Sequence, residues 1–183
     1  GLSLVADQGA GTLNLADWTG TFDNFGGSAL NAISPDGAGA SLSLVAGGST
    51  GGPYPGNGSY IEFTISMSGM QDLVLSFATR GTSTGFNSGT WSYSTGGGFT
   101  ALSDNTATTS TSFAVKTVDF SAYDDMDNVS SVVIRYTLDG ASGTTGNNRI
   151  DNIQFNASVV PAPGALALLG LAGVAARRRR RAN

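Results

Sequence analysis

The chain contains no cysteine and no histidine. Their absence removes cysteine nucleophiles, Ser–His–Asp triads, thiolate zinc sites and imidazole metal sites together. Disulfides are excluded as well, so cysteine carries no information about compartment. Glutamate occurs once, at Glu62, and charged residues make up only 12% of the chain. Helix formers of the Glu/Lys/Gln/Arg type are therefore scarce. What is abundant is small or β-branched: 27 Gly, 22 Ser and 19 Thr among 183 residues. With 40% apolar residues the chain is no disordered linker. This composition suits short strands joined by turns.

The net charge of −4 hides an asymmetry. Five of the nine cations form one run, Arg177, Arg178, Arg179, Arg180 and Arg181. The rest of the chain carries Arg80, Lys116, Arg135 and Arg149 against 13 acids, a balance of 4 − 13 = −9. Such a body repels nucleic acid and anionic lipid.

Apolar residues alternate along several segments. Ile61, Phe63, Ile65 and Met67 share one face of Ser59 to Met67, and Tyr60, Glu62 and Thr64 the other. The same period of two runs through Leu73 to Thr79, Thr90 to Thr95, Phe113 to Phe120, Ser131 to Leu138 and Arg149 to Phe155. Weaker strands are expected at Thr12 to Leu15, Ser41 to Val45 and Phe99 to Leu102, and a helical turn around Ser121 to Asp125. Turn chemistry separates them at Asp36-Gly37, Asn57-Gly58, Gly96-Gly97-Gly98, Asp139-Gly140 and Gly146-Asn147. Eight or nine short strands without an amphipathic helix predict an all-β fold, an antiparallel, jelly-roll-like β-sandwich over residues 11–156.

Little in this body reads as catalysis. Gly47-Gly-Ser49-Thr-Gly51 and Gly81-Thr-Ser83-Thr-Gly85 match the nucleophile-elbow pattern, but neither opens a helix and there is no base. Gly96-Gly97-Gly98 joins strand to strand and so offers no helix N-terminus to a phosphate. Glycoside hydrolysis needs a placed pair of carboxylates, and no motif places one here. Asp124-Asp125-Met126-Asp127-Asn128 offers hard oxygens for calcium but lacks the Gly and closing Glu of an EF-hand; it reads better as a solvated acidic turn. Arg80 and Arg135 are expected to pair with nearby aspartates.

Two readings concern ligands. Asp151, turned toward the core by period two, must be paired, metal-bound or exposed. Arg149, two residues earlier on the same face, is its expected partner, with backbone hydrogen bonds or a structural calcium as alternatives. Sugars stack their C–H faces on aromatic rings. Trp91 and Tyr93 share a face that reads better as core. Tyr54, in the loop Gly51-Gly-Pro-Tyr-Pro-Gly-Asn-Gly58, and Tyr60, on the outer face of its strand, are the candidate sugar-binding aromatics.

The segment 157–183 has a different character. Asn156-Ala157-Ser158 reads as a polar joint. Val160-Pro161-Ala162-Pro163 follows, then an uninterrupted apolar run of 13 residues, Gly164 to Ala176, then the arginines. As a helix this run spans about 20 Å, short of the roughly 30 Å hydrocarbon core, and makes a marginal anchor. The arginines orient it with the body outside the cytoplasm. Residues 1–10 read as a signal-peptide remnant or a first strand.

The order Pro motif, short Leu/Ala/Gly helix, Arg cluster resembles the PEP-CTERM sorting signal of Gram-negative bacteria. Ala162 stands where that family has Glu, a variant of the motif. The resemblance implies an exported protein, transiently anchored in the inner membrane and processed by an exosortase-type enzyme, with exopolysaccharide as a neighbour. In the body, Trp91-Ser-Tyr-Ser-Thr-Gly-Gly-Gly-Phe-Thr, Val118-Asp-Phe-Ser and Asn148-Arg-Ile-Asp151-Asn-Ile resemble segments of exported bacterial jelly-roll domains, broadly similar to carbohydrate-binding and MAM-type sandwiches. The MAM likeness is what implies calcium at Asp151; no other cofactor is expected. The combined expectation is a non-enzymatic cell-surface or extracellular-matrix protein. The alternative is a carbohydrate-binding module acting on exopolysaccharide, and behind it a small secreted glycan-active enzyme.

Overall fold

The computed structural model describes residues 6–161. Among them, ten strands form two antiparallel five-stranded sheets. The front sheet runs β1 (Gly11–Asn14), β4 (Ser59–Ile65), β9 (Val132–Asp139), β6 (Ser88–Ser94), β7 (Thr100–Asn105). The back sheet runs β2 (Thr21–Gly26), β3 (Ala40–Val45), β10 (Asn147–Val159), β5 (Met70–Gly81), β8 (Ala114–Asp119). The fold is thus the expected all-β sandwich. A 3-10 turn at Asp124–Met126 sits where a helical turn was expected. The expected apolar C-terminal helix, and residues 1–5 of the expected signal remnant, lie outside the described residues.

Alternation builds the core. From the front sheet, Ile61, Phe63, Trp91, Tyr93, Val132, Ile134, Tyr136 and Leu138 turn inward; Leu42, Leu44, Leu75, Phe77, Val118 and Ile150 meet them from the back. At the centre Trp91 stacks on Tyr136, centroids 4.2 Å apart and planes 14° from parallel. Phe77 leans on Trp91 from the other sheet at 5.4 Å. The buried polar tips satisfy one another: Trp91 Nε1 donates to Thr106 Oγ1 at 2.8 Å, and Thr106 Oγ1 donates to the Tyr136 hydroxyl at 3.3 Å. This is how large aromatic side chains with polar ends sit in a dry core.

Two features depart from expectation. β2 was not anticipated: Thr-Phe-Asp-Asn-Phe-Gly does not alternate, and its Asp, Asn and Gly are poor strand formers. It pairs residue for residue with β3 and leaves Phe22 and Phe25 51% and 43% exposed. β10 runs to Val159, straight through Asn156-Ala157-Ser158, because Asn156, Ser158 and Val159 still find partners on β5 at Val74, Gln71 and Met70. The joint expected there is strand. The register shifts between Asp151 and Gln154, where Asn152 takes a φ of 48°, the geometry of a bulge.

Candidate functional site

The outer face of the front sheet carries the most concentrated set of recognition side chains. Register aligns Glu62 of β4, Arg135 of β9, Ser92 of β6 and Ala101 of β7 in one row. Tyr60, Thr137 and Thr90 form the next row. All point away from the core because their sequence neighbours point in.

Arg135 organises this face. Its Nε and Nη2 both donate to Glu62 Oε1, at 3.0 and 2.7 Å. Its guanidinium carbon lies 3.8 Å from the centroid of Tyr60 and 3.6 Å from that of Phe99, just before β7. The cation is therefore layered between two rings and tied at its edge to a carboxylate. Cation–π contacts of this kind contribute about 0.5–1 kcal/mol each where partly solvated. Phe99 remains 38% exposed and Tyr60 half-buried. Beside this ridge the strands set a floor of small side chains, Thr90, Ser92, Ala101 and Ser103. The result is a rigid aromatic surface next to fixed donors and acceptors, which suits a ligand with both apolar C–H faces and hydroxyls.

The sequence anticipated Tyr60 on this face but not its companions. Arg135 was expected to meet an aspartate; it meets Glu62, directly opposite it across the β4–β9 ladder. Phe99 was read as a strand residue only, since nothing local shows that its ring reaches the β9 arginine. Tyr54 is not part of the ridge: it is half-buried and packs against the core from the β3–β4 loop. Trp91 and Tyr93 are core, as their pattern suggested.

Asp151 is buried, but not as Arg149's partner, and no ion pair joins them among the described residues. The bulge after Asp151 is the reason. Ile150 faces the core, Asp151 faces outward, and the extra residue lets Ile153 and Phe155 return to the core side. The loop after β2 then folds over the carboxylate: Ser28 N donates to Oδ2 at 2.6 Å and Asn152 N to Oδ1 at 3.1 Å. Among the described residues no group of three or more carboxylates gathers to hold a metal, at Asp151 or elsewhere. In the Asp124–Asn128 turn the oxygens serve local bonds, with Asp125 accepting from the Tyr93 hydroxyl at 2.7 Å and Asp127 from Asp72 N at 3.2 Å.

Desolvation under the Ser28 loop pushes the Asp151 pKa above the ordinary carboxylate range, while the two N–H donors pull it back. A carboxyl that holds its proton more tightly when folded adds stability that is complete below its unfolded pKa. That stability is lost as the pH rises through the raised folded value. Relative to Asp151→Asn, the native chain's unfolding free energy should fall as the pH goes from about 3 to about 6. A difference flat across that range, in denaturant melts, contradicts the buried carboxyl.

Among the described residues no helix is long and apolar enough to cross a membrane. Of the expected sorting motif, Val160 N donates to the Gly69 carbonyl at 2.9 Å, extending β10, and Pro161 follows. Ala162, Pro163 and Arg177 to Arg181 lie outside the described residues.

No family model matches the chain, and no curated protein matches it in sequence. Solved structures do resemble it. TmCBM61, solved in complex with β-1,4-galactotriose, aligns over 81% of this chain and 88% of its own at 9% identity and a TM-score of 0.48. The K2 cleaved adhesin domain of Lys-gingipain aligns over 80% and 89% at 13% identity, TM-score 0.48. A family 16 carbohydrate binding module aligns over 84% and 99% at 12% identity, TM-score 0.45. With identities this low, none of them passes a function to this chain.

Proposed function

We propose that the sandwich is a non-catalytic carbohydrate-binding domain and that it binds glycan on the outer face of the front sheet. The observation that carries this reading is the Tyr60–Arg135–Phe99 stack with Glu62 at its edge. Rings held by a guanidinium have little rotamer entropy left to lose on binding. The C–H face of a sugar packs on the exposed side of Phe99 or Tyr60. Its hydroxyls meet the Glu62 oxygens, the remaining Arg135 N–H groups and the Ser and Thr hydroxyls of the floor.

Co-sedimentation of the full chain with insoluble cellulose, xylan and β-galactan, and with exopolysaccharide from the source cells, tests this. Tyr60→Ala and Arg135→Ala should each weaken saturable binding at least about tenfold, the scale of a central aromatic or arginine anchor. Tyr54→Ala should leave it unchanged. Binding that survives Tyr60→Ala, or no glycan bound at all, overturns the assignment.

The domain's destination is a second part of the proposal. Val160-Pro161-Ala162-Pro163, the apolar run and Arg177 to Arg181 support export, transient inner-membrane anchoring and processing by an exosortase-type enzyme, leaving the domain at the cell surface or in the matrix. A jelly-roll topology fits the same reading. Mass spectrometry of the C-terminus of protein recovered from native cells should find Arg177 to Arg181 removed. Their retention in the mature protein contradicts sorting of this kind.

A further inference from the structure

The back sheet holds a second cluster, of different chemistry. Arg149 of β10 stands directly opposite Arg80 of β5, and Ser43 of β3 opposite Arg149 on its other side. All three face outward, since Leu42, Leu44, Thr79 and Ile150 beside them are buried inward. Asn147, two residues before Arg149, shares that face. Directly opposed like charges in an antiparallel pair are destabilising. Yet no carboxylate lies within ion-pair distance of either arginine among the described residues, in a body carrying 13 acids. Asp23 of β2 stands in the same row on the far side of Ser43, but it accepts from Asn24 N at 2.7 Å and pairs with neither arginine; Asp151 is held by Ser28 and Asn152.

Four side-chain polar atoms are buried without a hydrogen-bond partner among the described residues: Ser43 Oγ, Arg80 Nε, Asn147 Oδ1 and Arg149 Nε. All four belong to this one outward patch across three adjacent strands. Each such atom has given up its water without gaining a hydrogen-bond partner. These four atoms are closed to solvent, so a ligand would meet the outer N–H groups of the half-buried Arg80 and Arg149. The outer N–H groups of two guanidiniums can donate to an oxyanion, which arginine binds through its planar fork. Two rings border the patch: Arg149 lies 4.4 Å over Phe25, itself 43% exposed, and Arg80 5.9 Å over Phe113. An oxyanion and an apolar face on one ligand describe an acidic sugar better than a free ion.

We propose that Arg80 and Arg149, with the flanking Phe25, form a second binding site, specific for an anionic sugar bearing a carboxylate or a sulfate. It is distinct from the front-sheet ridge and rests on the carbohydrate-binding reading only in its choice of ligand class. Burial, and then the charge of Arg80 alongside, hold the Arg149 pKa below the usual guanidinium range, as an uncompensated pair requires. A bound anion offsets both with its opposite charge.

Affinity electrophoresis of the full chain tests the site, with polygalacturonate, dextran sulfate and neutral dextran as probes and inorganic sulfate as competitor. The chain should be retarded by polygalacturonate or by dextran sulfate, the first result assigning a carboxylate and the second a sulfate, and not by dextran. Arg149→Gln and Arg80→Gln should each weaken that retardation at least about tenfold, with melting temperatures no lower than the parent's because a like-charge contact is gone. Tyr60→Ala should leave it intact, so failure of the front-sheet reading and failure of this one are separately visible. Equal retardation of the parent and both arginine variants, or retardation by neither polyanion, overturns the proposal. So does full reversal of polymer binding by sulfate at concentrations matching the anionic groups on the polymer, which marks a site for a simple anion.

Discussion

Trp91→Ala should lower the unfolding free energy by about 3–5 kcal/mol, the range for emptying a buried large aromatic. Trp91 is fully buried, stacked on Tyr136, and touched by Phe77 and Phe63 from the sides. It is the piece that both sheets close upon. Its removal also strips Thr106 of the indole donor at 2.8 Å. Strands on either side are fixed by their ladders, so the cavity collapses only in part. For a domain of this size the melting temperature should drop by roughly 6–20 °C, at about 2–4 °C per kcal/mol. Urea melts measure it, and Trp91→Phe should recover a large part of the loss. A change under about 1 kcal/mol for the alanine variant would mean that the packing centre lies elsewhere.

The second large effect is expected at Gly81, the last residue of β5. Its N–H donates to the Ser110 carbonyl at 2.7 Å, which draws the segment after β7 against the strand end. A Cβ built on Gly81 falls onto the Thr108 carbonyl oxygen. That neighbour is backbone, and it cannot rotate aside. Gly81→Ala should therefore destabilise by about 1–3 kcal/mol, the usual penalty for overfilling a packed site. The control is Gly97→Ala in the β6–β7 turn. There a Cβ meets nothing within 4 Å, so the change should stay within about 0.5 kcal/mol. Equal effects at the two glycines, by thermal or urea melts, would contradict the packing of the 108–112 segment on β5.

Much of the sandwich was legible in the sequence because half-buried antiparallel strands write their burial as a period of two. Val132, Ile134, Tyr136 and Leu138 read as one inward face, and all four are buried to within 1%. What alternation does not encode was lost. β2 forms because β3 presents an edge, not because Thr-Phe-Asp-Asn-Phe-Gly prefers extension. Asp151 was assigned the wrong face because a bulge adds one residue to the count, and nothing local in Arg-Ile-Asp-Asn-Ile announces it. The glycan ridge was half visible. Tyr60 could be placed outward from its own strand, but its pairing with Arg135 and Phe99 depends on which strands become neighbours, and β4 and β9 are separated by some seventy residues of chain. The back-sheet arginines were invisible for the same reason. Arg80 and Arg149 meet only once β5 and β10 are aligned.

The most direct test of the central claim is an amide chemical-shift titration of the full chain, with soluble oligosaccharide from whichever neutral glycan retains it. The account predicts saturable shifts centred on Tyr60, Glu62, Ser92, Phe99 and Arg135, with the Tyr54 loop and the Arg80–Arg149 patch unmoved. Shifts confined to the loops at the ends of the sandwich, with the front-sheet rows still, would contradict it.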